Sequence, residues 1–220
     1  IVGDDPASKI YVGMKEKLSA EIGINGRVVR LPKTSTPAEV KKIVVDLNSD
    51  PSVDGILIQR PLPSNFRDEE VLFWVSPEKD VDALHPETSG KMWQSFRGFE
   101  SCTPKGIMKL LEANGFSVDG KRCCIIGRSP IVGKPLAALL LSKNATVTLT
   151  HSKTKNLSEE TKRADFLFVA AGKPHLIDAS YVSAGSIVID VGIHRDAGGK
   201  ILGDVKFDEV SKIVKAITPV

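Results

Sequence analysis

The sequence predicts an α/β protein of two α/β domains. The second is a Rossmann-like, doubly wound, mainly parallel sheet, and a cleft lies between the two domains. Three observations predict this. Apolar runs of strand length alternate with helix-period segments from end to end, as they do when crossover helices join parallel strands. A glycine-bearing turn, Gly127 to Pro135, leads from one such strand into a helix. A chain of 220 residues is long for one compact domain and comfortable for two small ones.

The elements follow in order. Asp5-Pro6 sets a cap before a proline at the first helical position, and the helix runs to about Ile22 before Gly23 stops it. Arg27 to Leu31 reads as a strand. Thr36-Pro37-Ala38-Glu39 is a capping box that opens a helix ending near Asn48. Gly55 to Gln59 reads as a buried strand, cut off by Arg60-Pro61-Leu62-Pro63. A helix over Asp68 to Val75 precedes the turn at Ser76-Pro77. Gly90 to Ser101 is polar and weakly patterned, so the division falls there, giving domains 1–101 and 102–220. Thr103-Pro104 then opens a helix through Leu111 that stops at Asn114-Gly115. Strand Arg122 to Ile126, helix Val132 to Leu141, strand Thr146 to Thr150 and a helix from Ser158 come next. Strands Asp165 to Ala170 and Ser186 to Val191 complete the series. Ile1-Val2 resembles the tail of a strand whose start is absent, and Ile217 to Val220 stops just after an apolar segment, so both ends read as trimmed.

Composition narrows the class of partner. Hydrophobic residues at 41% and charged residues at 26% are ordinary for a globular protein. A net charge of +3 is too small to argue for nucleic acid or a membrane surface, and no like-charge run marks a binding tail. No stretch reaches the roughly 18 apolar residues of a membrane span, and Ile1 to Asp5 lacks the pattern of a signal peptide. Cys102, Cys123 and Cys124 are an odd set, and the adjacent pair points to opposite faces of a strand, so no disulfide framework is expected. The histidines are scattered and form no metal motif. A cytoplasmic enzyme with reduced, buried thiols is the reading.

The turn Gly127-Arg128-Ser129-Pro130-Ile131-Val132-Gly133 allows backbone amides and a helix end to approach a pyrophosphate. Ser129 holds the place of the second glycine of the usual G-x-G-x-x-G, and a tight turn without a ligand remains the alternative. Folds that bind NAD place an Asp or Glu about 20 residues on, against the ribose hydroxyls. Here the next strand ends in His151-Ser152-Lys153, with no carboxylate. A cation and a hydroxyl suit a 2′-phosphate, and Arg128 adds a guanidinium fork. NADP is therefore expected, with Ser152 as one contact. Alternatively, Ser152 only caps a turn and His151 only packs. Gly172 and Ile193 follow the carboxyl ends of two strands, where the nicotinamide end belongs.

In the first domain, Tyr11 and Lys15 are four apart and share a helix face. An aromatic ring packed on a lysine stem is the plain alternative. Gln59 is a polar amide closing the run Ile56-Leu57-Ile58, at the end of a strand where ligands bind. Asp80 and Asp82 alternate, so one carboxylate faces inward if the piece is extended, and either could simply cap a turn.

Taken in order, these pieces resemble the methylenetetrahydrofolate dehydrogenase/cyclohydrolase family. The matching runs are Val2 to Ser8, Tyr11 to Lys15, Gly55 to Gln59, Pro77 to Asp82, Cys102 to Gly106, Gly127 to Pro135, His151 to Thr154 and Ile217 to Val220. The resemblance implies oxidation of methylene-tetrahydrofolate with NADP, then hydrolysis of the methenyl cation to 10-formyl-tetrahydrofolate. It implies Lys15 as the catalytic amine, Gln59 as its orienting partner, Tyr11 as a platform for the folate rings and Asp82 as acceptor for the pterin amino group. It also implies a homodimer, a helix before Ile1, and a Pro-Gly-Gly loop and helix after Val220. Arg60 stands where the family usually has an apolar residue, and Ala83 where it has glycine. Three other readings compete: a dehydrogenase without cyclohydrolase activity, a non-catalytic nucleotide-binding module, and an amino-acid or shikimate-type dehydrogenase.

Overall fold

A computed structural model describes residues 1–196 and 198–220, as two compact units, Ile1–Thr88 and Ser89–Val220. In the first unit α1 (Pro6–Glu21) begins where its cap dictates, the Asp5 carboxylate accepting the Ser8 amide at 2.8 Å. Helix α2 (Pro37–Ser49) carries a complete capping box. Thr36 Oγ1 accepts the Glu39 amide at 3.3 Å, and Glu39 Oε2 accepts the Thr36 amide at 2.7 Å. Val40 and Val44, one turn apart, press that helix onto a core of Val2, Ile56, Phe66, Val71, Trp74 and Val75.

Three expected elements come out differently. Arg27 to Leu31 is not a strand of a sheet. It is extended backbone joined to Ile1–Gly3 by three hydrogen bonds and one parallel bridge, Val2 with Leu31. Gly55 to Gln59 likewise makes a single parallel bridge, Ile56 with Asp80, and no continuous ladder. An apolar run gains strand structure only from a partner, and here each partner is one bridge long. The helix expected over Asp68 to Val75 is α3, Asp68–Val71, followed by turns through Trp74. Val71, Trp74 and Val75 are all buried, so burial of that face, and not helical continuity, accounts for the spacing.

Helix α4 (Pro86–Trp93), whose second half falls in the weakly patterned stretch Gly90 to Ser101, carries the division between the units. The second unit then runs α5 (Cys102–Ala113), β1 (Arg122–Ile126), α6 (Gly133–Ser142), β2 (Thr146–Thr150), α7 (Leu157–Lys162), β3 (Phe166–Val169) and β4 (Ile187–Asp190). A hairpin of β5 (His194–Arg195) and β6 (Ile201–Leu202), helix α8 (Phe207–Val210) and β7 (Ala216–Ile217) follow.

The main sheet has the order β2-β1-β3-β4-β7, parallel throughout. Strand order reverses beside β1, so the crevice beyond the carboxyl ends of β1 and β3 is the topological switch point. Alternation along the strands sends side chains into two cores. Cys123, Ile125, Phe166, Phe168, Ile187 and Ile189 meet α5 and α6 on one face. Cys124, Ile126, Leu167, Val169 and Val188 meet Ala164, Ile177, Val205 and Val210 on the other. Each side chain so buried contributes about 1.5–3 kcal/mol by area. The adjacent cysteines therefore lie one in each core, and burial pushes both thiols up to about 12.

Candidate functional site

The first unit brings Lys15 and Gln59 together. Helix α1 presents Tyr11 and Lys15, both exposed, on one face, and Lys15 Nζ donates to Gln59 Oε1 at 3.0 Å. The amide of Gln59 is held from its other end, Nε2 donating to the Arg60 carbonyl at 2.7 Å. That same carbonyl accepts Ser8 Oγ at 3.2 Å, so the start of α1 and the end of the 55–59 segment share one anchor. The arrangement presents an amine of fixed direction to solvent, with an amide oxygen holding one of its protons.

The two aspartates separate. Asp80 is the inward one, 4% exposed, and its Oδ2 accepts the His85 amide at 2.8 Å, the turn-holding role. Asp82 is half-buried and lines a small cavity with Ile58, Arg60, Val71 and Leu84. Arg60 accounts for its own charge by pairing Nη1 with Asp68 Oδ1 at 2.6 Å. Its Nε is buried with no hydrogen-bond partner among the described residues.

In the second unit the turn after β1 is built on two glycines. Gly127 has φ +117°, and a Cβ there would run into the Ala170 carbonyl at the end of β3; a Cβ on Gly133 would run into the Gly127 carbonyl. The backbone is thus drawn tight against the switch point, leaving the close approach that a dinucleotide needs. Ser129 closes the start of α6, Oγ accepting the Val132 amide at 3.1 Å and the Gly133 amide at 3.4 Å. Arg128 and Ile131 project outward, both exposed. Past β2, the His151 amide donates to Thr154 Oγ1 at 2.9 Å and His151 Nδ1 accepts the Lys153 amide at 3.2 Å, which leaves Ser152 and Lys153 exposed at the rim. The glycine cradle, with a cation and a hydroxyl at its margin, fits a phosphorylated dinucleotide.

Gly172 (φ +66°) and Ile193 (59% exposed) follow β3 and β4. Sequence reading missed what holds them. Asp204 is fully buried, and its carboxylate accepts the amides of Ala171, Gly172 and Lys173 at 2.7, 3.0 and 2.8 Å and His194 Nε2 at 2.7 Å. Asp190, at the end of β4, accepts the amides of Gly192, Asp204 and Val205 at 3.0, 3.0 and 2.9 Å. Burial raises the Asp190 carboxyl from its ordinary value, against the lowering effect of those amides. The available signal was an acid closing the apolar run Ile187-Val188-Ile189, and another inside Leu202-Gly203-Asp204-Val205. Among the described residues no group of three or more His, Cys, Asp or Glu is placed to hold a metal.

Comparison with known proteins agrees with both halves. Residues 1–82 match the family model of the tetrahydrofolate dehydrogenase/cyclohydrolase catalytic domain, and residues 101–220 match that of its NAD(P)-binding domain. The chain is 49% identical to the bifunctional protein FolD of Streptococcus sanguinis, over 100% of this chain and 78% of that protein. It is 46% identical to the crystal structure of the Campylobacter jejuni FolD methylenetetrahydrofolate dehydrogenase/cyclohydrolase, with a TM-score of 0.96 over 100% of this chain and 78% of that one. A Trypanosoma brucei methylenetetrahydrofolate dehydrogenase-cyclohydrolase, solved with NADP cofactor and an inhibitor, is 34% identical with a TM-score of 0.93, over 100% and 77% of the two chains.

Proposed function

This chain belongs to the tetrahydrofolate dehydrogenase/cyclohydrolase family, and on that premise we propose that it oxidises 5,10-methylenetetrahydrofolate with NADP and hydrolyses the methenyl product to 10-formyltetrahydrofolate. The observation that carries the hydrolytic half is the 3.0 Å hydrogen bond from Lys15 to Gln59. When bound at the turn after β1, NADP would supply the acceptor for the hydride released from the methylene carbon. The folate nitrogen lone pair drives that release, so the protein supplies mainly position. Hydrolysis needs an activated water. Lys15 is the amine placed to take a proton from that water. Gln59, fixed through the Arg60 carbonyl, aims the amine. Tyr11 stacks on the folate rings, and Asp82 accepts the pterin amino group.

Gly127, Arg128, Ser129, Ile131, Val132 and Gly133 form the dinucleotide turn. Arg128 and Ser152 would hold the 2′-phosphate, and Gly172 and Ile193 would flank the nicotinamide. Residues 1–101 form the folate part and 102–220 the cofactor part, a division that the matches over 1–82 and 101–220 support. The protein acts as a homodimer in the cytoplasm, on tetrahydrofolate derivatives and without nucleic acid or membrane. No helix among the described residues is long and apolar enough to cross a membrane.

The test follows methenyl-folate absorbance after adding methylene-tetrahydrofolate with either NADP or NAD. NADP should give the much higher kcat/KM. Arg128→Ala should weaken NADP binding by about 1.5–3 kcal/mol, the range for a hydrogen bond to a charged group, and leave NAD binding nearly unchanged. Equal efficiency with the two cofactors in the unsubstituted chain would refute the assignment.

A further inference from the structure

We propose that His194 and Asp204 act as a positioning pair for hydride transfer, holding the two loops that flank the nicotinamide. The inference rests on the dehydrogenase reading above and extends it to residues to which that reading gives no role.

The argument starts from a costly arrangement. A fully buried carboxylate is expensive unless donors surround it, and Asp204 has four, three backbone amides and an imidazole. Those donors come from two places that are separate in the chain. Ala171, Gly172 and Lys173 form the loop after β3, and His194 opens β5 just beyond the loop after β4. Asp190 ties the same segments together, accepting the amides of Gly192, Asp204 and Val205.

Glycines make the spacing exact to an atom's width. A Cβ on Gly192 would strike the Asp204 carboxyl group, and one on Gly203 would strike that of Asp190. Ile193 therefore sits between two fixed points, a glycine packed on Asp204 and a histidine bonded to it, and its own side chain is left exposed. The loops so held lie beyond the carboxyl ends of parallel strands, where the ligand of such a sheet binds. A displacement of about 1 Å at such a place costs on the order of 10²-fold in rate.

Substituting Asp204 would strand three amides and threaten folding, so the test uses His194. His194→Ala removes one donor, and His194→Gln replaces it with an amide of similar reach. In His194→Ala, dehydrogenase kcat should fall ~10- to 100-fold, with KM for the folate and the cyclohydrolase rate within about twofold. The primary isotope effect from deuterium on the methylene carbon should rise, and His194→Gln should restore most of the rate. Without any cofactor, amide hydrogen exchange should speed up at 171–173 and 192–194 in His194→Ala while β1 and β3 stay protected. Unchanged kcat and exchange, an equal fall in both activities, or no rescue by glutamine would each overturn the proposal. An unsubstituted chain that fails to reduce NADP overturns the functional reading itself, and does so before any variant is compared.

Discussion

Lys15→Met should separate the two activities of this chain, and the structure gives both sides of the comparison. Lys15 is exposed on α1, and its hydrogen bond to Gln59 is itself exposed. Methionine matches lysine in helix propensity. Surface substitutions of this kind stay within about 0.5 kcal/mol, a shift of roughly 1–2 °C in Tm for a chain of this size. Gln59 keeps its second anchor at the Arg60 carbonyl, so the neighbouring backbone has no reason to move. Removal of a general base, by contrast, costs about 10²–10⁴ in rate, or roughly 3–5 kcal/mol in the barrier. The functional loss thus exceeds any folding loss by several kcal/mol. Cyclohydrolase rate is read from the decay of methenyl-folate absorbance, and dehydrogenase rate from its appearance with NADP, each at saturating folate. The hydride step asks for no proton transfer to Lys15, so it should change by less than about tenfold. If Lys15 only anchors substrate by charge, both activities fall together through KM. A variant that still hydrolyses methenyl-folate at near-normal rate refutes the reasoning.

Two further outcomes test the fold beneath the site. Gly127→Ala forces a side chain at φ +117° into the Ala170 carbonyl, and strain plus overpacking should cost roughly 3 kcal/mol or more in thermal or denaturant unfolding. Gly106→Ala, inside α5 with open space around it, should instead stabilise by about 0.5–1 kcal/mol; loss at both sites would count against the steric account. For the buried thiols, folding moves Cys123 and Cys124 from 9.0 to about 12. Between those values the unfolded chain has released protons that the native one keeps, so stability should fall as pH rises from about 9 to about 12. Replacing both cysteines with alanine should flatten that slope, and an unchanged slope would show that other groups cause it.

Much of this protein is decided locally, and those parts are legible in its sequence. The caps of α1 and α2 bond residues three apart, Asp5 with Ser8 and Thr36 with Glu39, so a reader needs only a few adjacent letters to place them. The alternation of β1 and β3 sends Cys123 and Cys124 to different cores because strand geometry permits nothing else. The spacing of Gly127 and Gly133 marks a tight strand-to-helix turn, and the ordered motifs from Val2 to Val220 carry the family resemblance. Tertiary structure decided the rest, wherever the partner lies far along the chain. Arg27 to Leu31 and Gly55 to Gln59 have the letters of strands, but a ladder depends on a neighbour, and theirs are one bridge long. The meeting of Lys15 with Gln59 spans 44 residues. Asp204 reaches back 33 residues to Ala171 and 10 to His194. A lone acid in an apolar run does not reveal which amides will surround it. Only the pairing of β3 with β4 brings those amides within hydrogen-bond reach, and it is that pairing, acting on backbone groups common to every sequence, that sets the two loops side by side.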